Sequence, residues 1–156
     1  MVSKGAELAL LLLGGFRIMV DTATAELLKR GYAELRPAQE FALRAIAAGA
    51  TNASELARRL SVSKQAAAKT IAVLEANGLV ERRNDPVDWR SKLLMVTPMG
   101  FESMQQGEAI LDALRSQWAE KIGPAELDRL EASLAALVGD SRVHPEAAGR
   151  IAQDTD

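Results

Sequence analysis

The chain has 156 residues, nearly half of them apolar and about a quarter charged, which suits one packed domain and leaves little room for two. It has no cysteine, so a disulfide scaffold, a thiolate metal site, a cysteine nucleophile and a thiol redox switch are all excluded. The net charge is −2, but it is unevenly spread: Glu55 to Lys92 holds eight basic and five acidic residues (+3), and the remainder eleven and sixteen (−5). Screening makes a phosphate respond mainly to nearby charge, so a locally basic face on an acidic body is enough to attract a nucleic-acid backbone.

In chain order, Ala6 to Arg30 carries apolar residues three and four apart, at Leu12, Phe16, Met19, Ala23 and Leu27, and predicts one long helix. Its first half is apolar on more than one face, through Leu8 and the run Leu10 to Leu13. A helix wetted on one side is not built this way, so it is expected to bury one face in its own subunit and another in a partner. Lys4, the run Leu8 to Phe16 and Ala23-Thr24-Ala25 also sketch a secretory signal, which would make this a secreted helical protein whose mature chain begins after Ala25. Glu7, Arg17 and Asp21 interrupt that pattern, and the apolar run alone is too short to span a bilayer. The expectation is a cytoplasmic protein without a membrane partner.

Gly31 ends the first helix and Pro37 opens a second, to about Ala48, which Gly49 closes. Asn52 and Glu55 have the spacing of a capping box, with Glu55 expected to reach back to the Asn52 amide. The short helix they start ends near Leu60. Ser61-Val62-Ser63 forms a turn, and Ser63 caps a helix from Lys64 to about Asn77 that Gly78 stops. Strands are predicted at Leu79 to Arg83 and Ser91 to Val96, joined by a loop rich in turn formers, Asn84 to Arg90. Thr97-Pro98 starts a long helix to about Lys121, Gly123-Pro124 breaks it, and a last helix runs to about Val138. The polar tail, residues 141–156, is expected to be weakly helical or disordered.

Helix, three-residue turn, helix, hairpin is the order of a winged helix-turn-helix. The expected fold class is therefore mainly α with a small β-hairpin wing and long flanking helices. The second helix of such a pair fits the major groove of DNA. Its start, Ser63 to Lys69, offers Lys64 and Lys69 to phosphates or guanine edges, Gln65 to adenine, and Ser63 to a phosphate or base. Ala66 and Ala68 let the helix approach closely and contact thymine methyls. On the wing, Arg82, Arg83, Arg90 and Lys92 flank a loop holding Asp85 and Asp88. Asp88 is expected to pair with Arg90 and aim its guanidinium at a narrow minor groove.

These stretches resemble the MarR family of bacterial transcriptional regulators. The resemblance rests on Ser54-Glu55-Leu56-Ala57-Arg58-Arg59-Leu60, on Leu74-Glu75-Ala76-Asn77-Gly78-Leu79-Val80-Glu81-Arg82-Arg83, on Asp85-Pro86-Val87-Asp88-Trp89-Arg90-Ser91-Lys92, and on Val96-Thr97-Pro98 with Gly100. It implies a MarR-type domain over residues 1–140, with its DNA-binding lobe at about 37–97. It further implies an obligate homodimer built from helices near both chain ends, binding to double-stranded DNA at a palindromic operator, and a minor-groove role for Arg90. Many members release DNA when a small organic, often phenolic, molecule binds between the dimer helices and the DNA-binding lobe. The chain departs from the family pattern at Ala66 and Ala68, where hydroxyl residues are common, and at Trp89, beside the wing arginine, where Arg or Gly is usual. Trp89 either packs the wing against its own strands, which is the expectation, or lies along the sugar-phosphate edge.

No enzyme chemistry emerges. The sole histidine, His144, lies in the tail, so no histidine-based triad or metal cluster can be assembled, and no cofactor is expected. Met19, Met95, Met99 and Met104 fill core space in the simpler reading and line an adaptable ligand pocket in the sharper one. A winged helix serving only as a protein-protein module is the alternative to a DNA-binding repressor.

Overall fold

The computed structural model describes residues 1–139. In chain order the elements are α1 (Lys4–Lys29), α2 (Pro37–Ala47), α3 (Ala53–Leu60), α4 (Lys64–Ala76), β1 (Val80–Asn84), β2 (Lys92–Val96), α5 (Pro98–Ile122) and α6 (Pro124–Val138). The expectation for the tail and for His144 lies outside the described residues.

Two compact units arise. One comprises Met1–Glu34 with Gln106–Leu134, and the other is built on Leu35–Gln105. In the first, Ser3 caps α1 by accepting from the Ala6 amide, and Tyr32 N–H donates to the Leu27 carbonyl as the helix ends. Leu27, Ile110, Leu114 and Leu127 are its buried side chains. Gly107 brings α5 close to the Leu27 methyl groups. Arg115 on α5 holds Glu131 on α6 at 2.6 Å and Asp128 at 3.0 Å, and these carboxylates raise its pKa beyond the ordinary arginine range.

The second unit carries the hairpin. Leu43, Leu56, Ile71, Leu74 and Leu79 are its largest fully buried side chains, contributed by α2, α3, α4 and the chain leading into β1. Each helix of the unit therefore presents one apolar stripe to a shared centre. Leu94 and Val96 add the inward face of β2. Main-chain capping fixes the helix ends. Pro37 occupies the first turn of α2, and the Arg36 amide donates to Gln39 Oε1 at 2.9 Å. At α3 the Asn52 side chain accepts from the Glu55 amide at 2.8 Å, as its spacing predicts. The reciprocal half differs: Glu55 passes Asn52 and takes the Thr51 amide at 3.3 Å and the Arg59 guanidinium at 2.9 Å. Arg59 in turn donates to the Ala48 carbonyl at 3.2 Å, so this one glutamate ties α3 to the end of α2. Three donors hold its carboxyl below the usual glutamate range, the Thr51 amide most strongly and the Arg59 guanidinium next.

β1 and β2 are antiparallel, with Val80 opposite Val96, Arg82 opposite Leu94 and Asn84 opposite Lys92. The strands begin one residue later than the apolar pattern predicts at both starts. The Leu79 amide is spent on the Leu74 carbonyl, closing α4, and Ser91 belongs to the loop. Leu94 N–H donates to the Thr51 carbonyl at 2.9 Å, so β2 is tied on its outer side to the segment before α3. Thr97 links the strand to the next helix: its hydroxyl donates to the Gly78 carbonyl at 2.6 Å and accepts from the Gly100 amide at 3.1 Å. Gly100 is obligatory at this junction, because a methyl group there would collide with the Leu79 carbonyl and with Val96 Cγ1.

Candidate nucleic-acid interface

The candidate interface comprises two elements of the second unit, the start of α4 and the β1–β2 loop. Between α3 and α4 the chain reverses through Ser61, the one non-glycine residue with positive φ among the described residues (φ 55°). Ser63 then caps α4, its hydroxyl oxygen accepting from the Ala66 amide at 3.0 Å. The same hydroxyl keeps its proton to donate outward. Ala67, Ile71 and Leu74 turn inward, which leaves Ser63, Lys64, Gln65, Ala66, Ala68 and Lys69 exposed on one side of the first two turns. These are the six residues that the sequence offers as candidate DNA contacts on this helix. Lys64 and Lys69 are exposed, and neither forms an ion pair with another described residue.

The wing arginines divide into two kinds. Arg82 Nε donates to Glu75 Oε1 at 2.8 Å and ties β1 to α4, while Arg83 holds Glu81 at 2.5 Å on its own strand. Exposed pairs of this sort are worth at most about 1 kcal/mol, so both are exchangeable, but each guanidinium starts with a carboxylate attached. Arg90 starts with none: among the described residues its side chain makes no ion pair. Lys92, opposite Asn84, is exposed and likewise makes none among those residues.

The two loop aspartates have a structural role different from the one their spacing predicts. Asp88 does not grip the Arg90 guanidinium; its Oδ1 accepts from the Arg90 backbone amide at 3.1 Å. Asp85 does the same for the Val87 amide at 2.8 Å and also accepts from the Ser91 hydroxyl at 3.3 Å. The Asp85 amide meets the Ser91 carbonyl at 3.0 Å and the Ser91 amide meets the Asp88 carbonyl at 3.1 Å. Both aspartates therefore close turns by taking amides that would otherwise lack partners, the usual habit of a short acidic side chain in a tight loop. Trp89 also departs from its expected place. It is 81 % exposed, and its ring lies 5.8 Å from the Arg90 guanidinium carbon instead of packing on the strands.

An apolar cleft of about 270 Å³ opens elsewhere in this unit, lined by Ile46, Thr51, Met95, Val96 and Phe101 among others. Of the four methionines considered as pocket residues, Met95 alone lines it. Met99 is exposed, and Met19 and Met104 are half-buried. No group of three or more potential metal-ligating side chains occurs among the described residues.

The second unit coincides with a sequence match. Residues 37–91 match the MarR family. Solved structures share the fold over most of the chain. The YusO protein of Bacillus subtilis is 22% identical, with 89% of this chain and 99% of that one covered at a TM-score of 0.66. A MepR variant from S. aureus, solved bound to an oligodeoxyribonucleotide, is 18% identical over 86% of this chain and 97% of its own, with a TM-score of 0.61. CouR from Rhodococcus jostii RHA1, solved with p-coumaroyl-CoA, is 21% identical over 92% of this chain and 100% of its own, with a TM-score of 0.58. Among curated protein sequences no match was found.

Proposed function

From a chain that resembles the MarR family in sequence over residues 37–91 and in fold over most of its length, we propose a dimeric, sequence-specific DNA-binding repressor of transcription that a small organic ligand releases. The observation that carries the reading is the uncommitted charge on the two elements a winged helix presents to DNA. Lys64 and Lys69 lie on the exposed start of α4, and Arg90 and Lys92 on the wing. The start of α4 fits the major groove, where Gln65 pairs with adenine and the lysines reach guanine or phosphate. Ala66 and Ala68 let the helix seat deeply at the loss of hydroxyl donors. Arg90 enters the adjoining minor groove. Arg82 and Arg83 reach phosphates by exchanging their carboxylates for them, while Asp88 serves the wing by holding its turn.

The dimer follows from α1. Leu8, Leu10, Leu11, Leu12 and Ile18 are all exposed on it, more apolar area than a lone subunit leaves in water without a reason. A second copy that covers this helix would place two winged lobes on one duplex and give the operator its palindrome. By length and composition the whole of α1 is also apolar enough to cross a membrane, although the leucine run alone is too short. The MarR resemblance favours the dimer helix, and with it a soluble, cytoplasmic protein. Repression and ligand release rest on the resemblance, supported by the p-coumaroyl-CoA complex of CouR and the oligodeoxyribonucleotide complex of MepR.

Selection of duplexes from a randomised pool, followed by footprinting, tests this reading. The expected result is a protected inverted repeat. Recovery of no preferred sequence would leave the winged helix as a protein-protein module instead.

A further inference from the structure

We infer that Trp89 is a positioning and contact residue of the wing, acting with Arg90 as one unit whose guanidinium enters a narrow minor groove while the indole lies along the adjoining sugars. The inference rests on the proposed DNA-binding role of the wing and adds a residue and a device to it. Three observations meet at this point. The indole is 81 % exposed next to Val87, itself 93 % exposed, so an apolar surface sits at the tip of a charged loop, left uncovered by the described residues. The guanidinium carbon lies 5.8 Å from the ring centroid, within the range of a cation–π pair. The main chain beneath both residues is pinned, by Asp88 to the Arg90 amide at 3.1 Å and by the Ser91 amide to the Asp88 carbonyl at 3.1 Å.

The choice of partner matters physically. A flexible arginine loses rotamer freedom on entering a groove, and a partner on the wing that restricts it beforehand lowers that cost. A carboxylate would do so while cancelling the charge that the groove attracts, and would itself be repelled by phosphates. An indole restricts the guanidinium and leaves its charge intact. The neighbouring Arg82 and Arg83 hold carboxylates, and the residue at the loop tip holds a ring. The indole also brings a large apolar face that loses water when the wing meets the sugar edges.

Trp89 and Trp118 are the two tryptophans of the chain, so Trp118→Phe leaves Trp89 as the sole reporter. The experiment uses this full-length variant and a duplex selected from a randomised pool by the wild-type protein. It is made in two forms, A·T-rich or G·C-rich where the wing falls. Trp89 emission is expected to change on titration and its quenching by iodide to fall, both saturating with binding. Trp89→Ala is expected to weaken binding to the A·T-rich form about two- to fivefold and to reduce the preference for it, with Trp89→Phe recovering part of both. Unchanged emission together with unchanged affinity and preference in Trp89→Ala, while DNA binding persists, overturns this inference alone. Failure of the wild-type protein to select or bind any duplex overturns the reading of the wing as well. Loss of Trp89 exposure on adding a second protein, with no change on adding DNA, would assign the tip to a protein partner and also overturn it.

Discussion

Glu40 sits half-buried on α2, and loss of water pushes its carboxyl above the ordinary value of 4.5 more strongly than the nearby Arg44 charge pulls it down. The sign of the consequence is fixed. A folded-state pKa above the unfolded one means that this group favours folding most below the unfolded value, and that the advantage is lost as pH rises through the folded value. Glu40→Gln is therefore expected to raise the melting temperature at pH 7 and to leave it nearly unchanged at pH 4; a lower melting temperature at pH 7 would show that the Arg44 attraction dominates. Glu55 has the opposite sign, and its contribution is present above its unfolded value and lost in acid. What the sequence displays at this scale is local capping. Asn52, Ser63 and Thr97 are legible because each oxygen has an amide three residues on to bond. The reach of Glu55 to Thr51, and the turning outward of Trp89, depend on loop dihedrals and neighbours that spacing does not encode.

Among the elements, the helix-turn-helix and the hairpin follow from their apolar periods and breakers, with boundaries off by about one residue. Those shifts have causes: the Leu79 amide closes α4 and Ser91 closes the loop, so neither enters the ladder. The distribution of charge within the wing was less legible. Spacing offers a carboxylate to Arg90 through Asp88, whereas the fold gives that carboxylate to the Arg90 backbone amide and places others beside Arg82 and Arg83. That difference gives a prediction for the wing as a unit. Arg90→Ala is expected to weaken operator binding about tenfold or more and to leave melting temperature and dimer mass unchanged. Arg82→Ala, which also unties β1 from Glu75, is expected to lower stability by up to about 1 kcal/mol. An Arg90→Ala protein that binds as tightly as wild type would remove the wing from the interface.

For the whole molecule, the long α1 with apolar residues on several faces was evident in the pattern, and Leu11 remains 68 % exposed within the subunit. Sequence and fold both leave that surface in search of cover, which the proposed dimer supplies. Leu11→Asp is expected to shift sedimentation from dimer to monomer at micromolar concentration and to abolish tight operator binding, because one lobe reads only a half-site. A stable dimer in that variant would move the interface away from α1.

Sequence-dependent binding of DNA by the basic face of α4 and the wing is tested most directly by affinity for the selected duplex and for a scrambled one across a range of salt. Log K is expected to fall linearly with log salt for both, with a slope set by the phosphates contacted, while the selected duplex stays tighter by about a thousandfold or more. Affinity that ignores salt, or that is equal for the two duplexes, would contradict it.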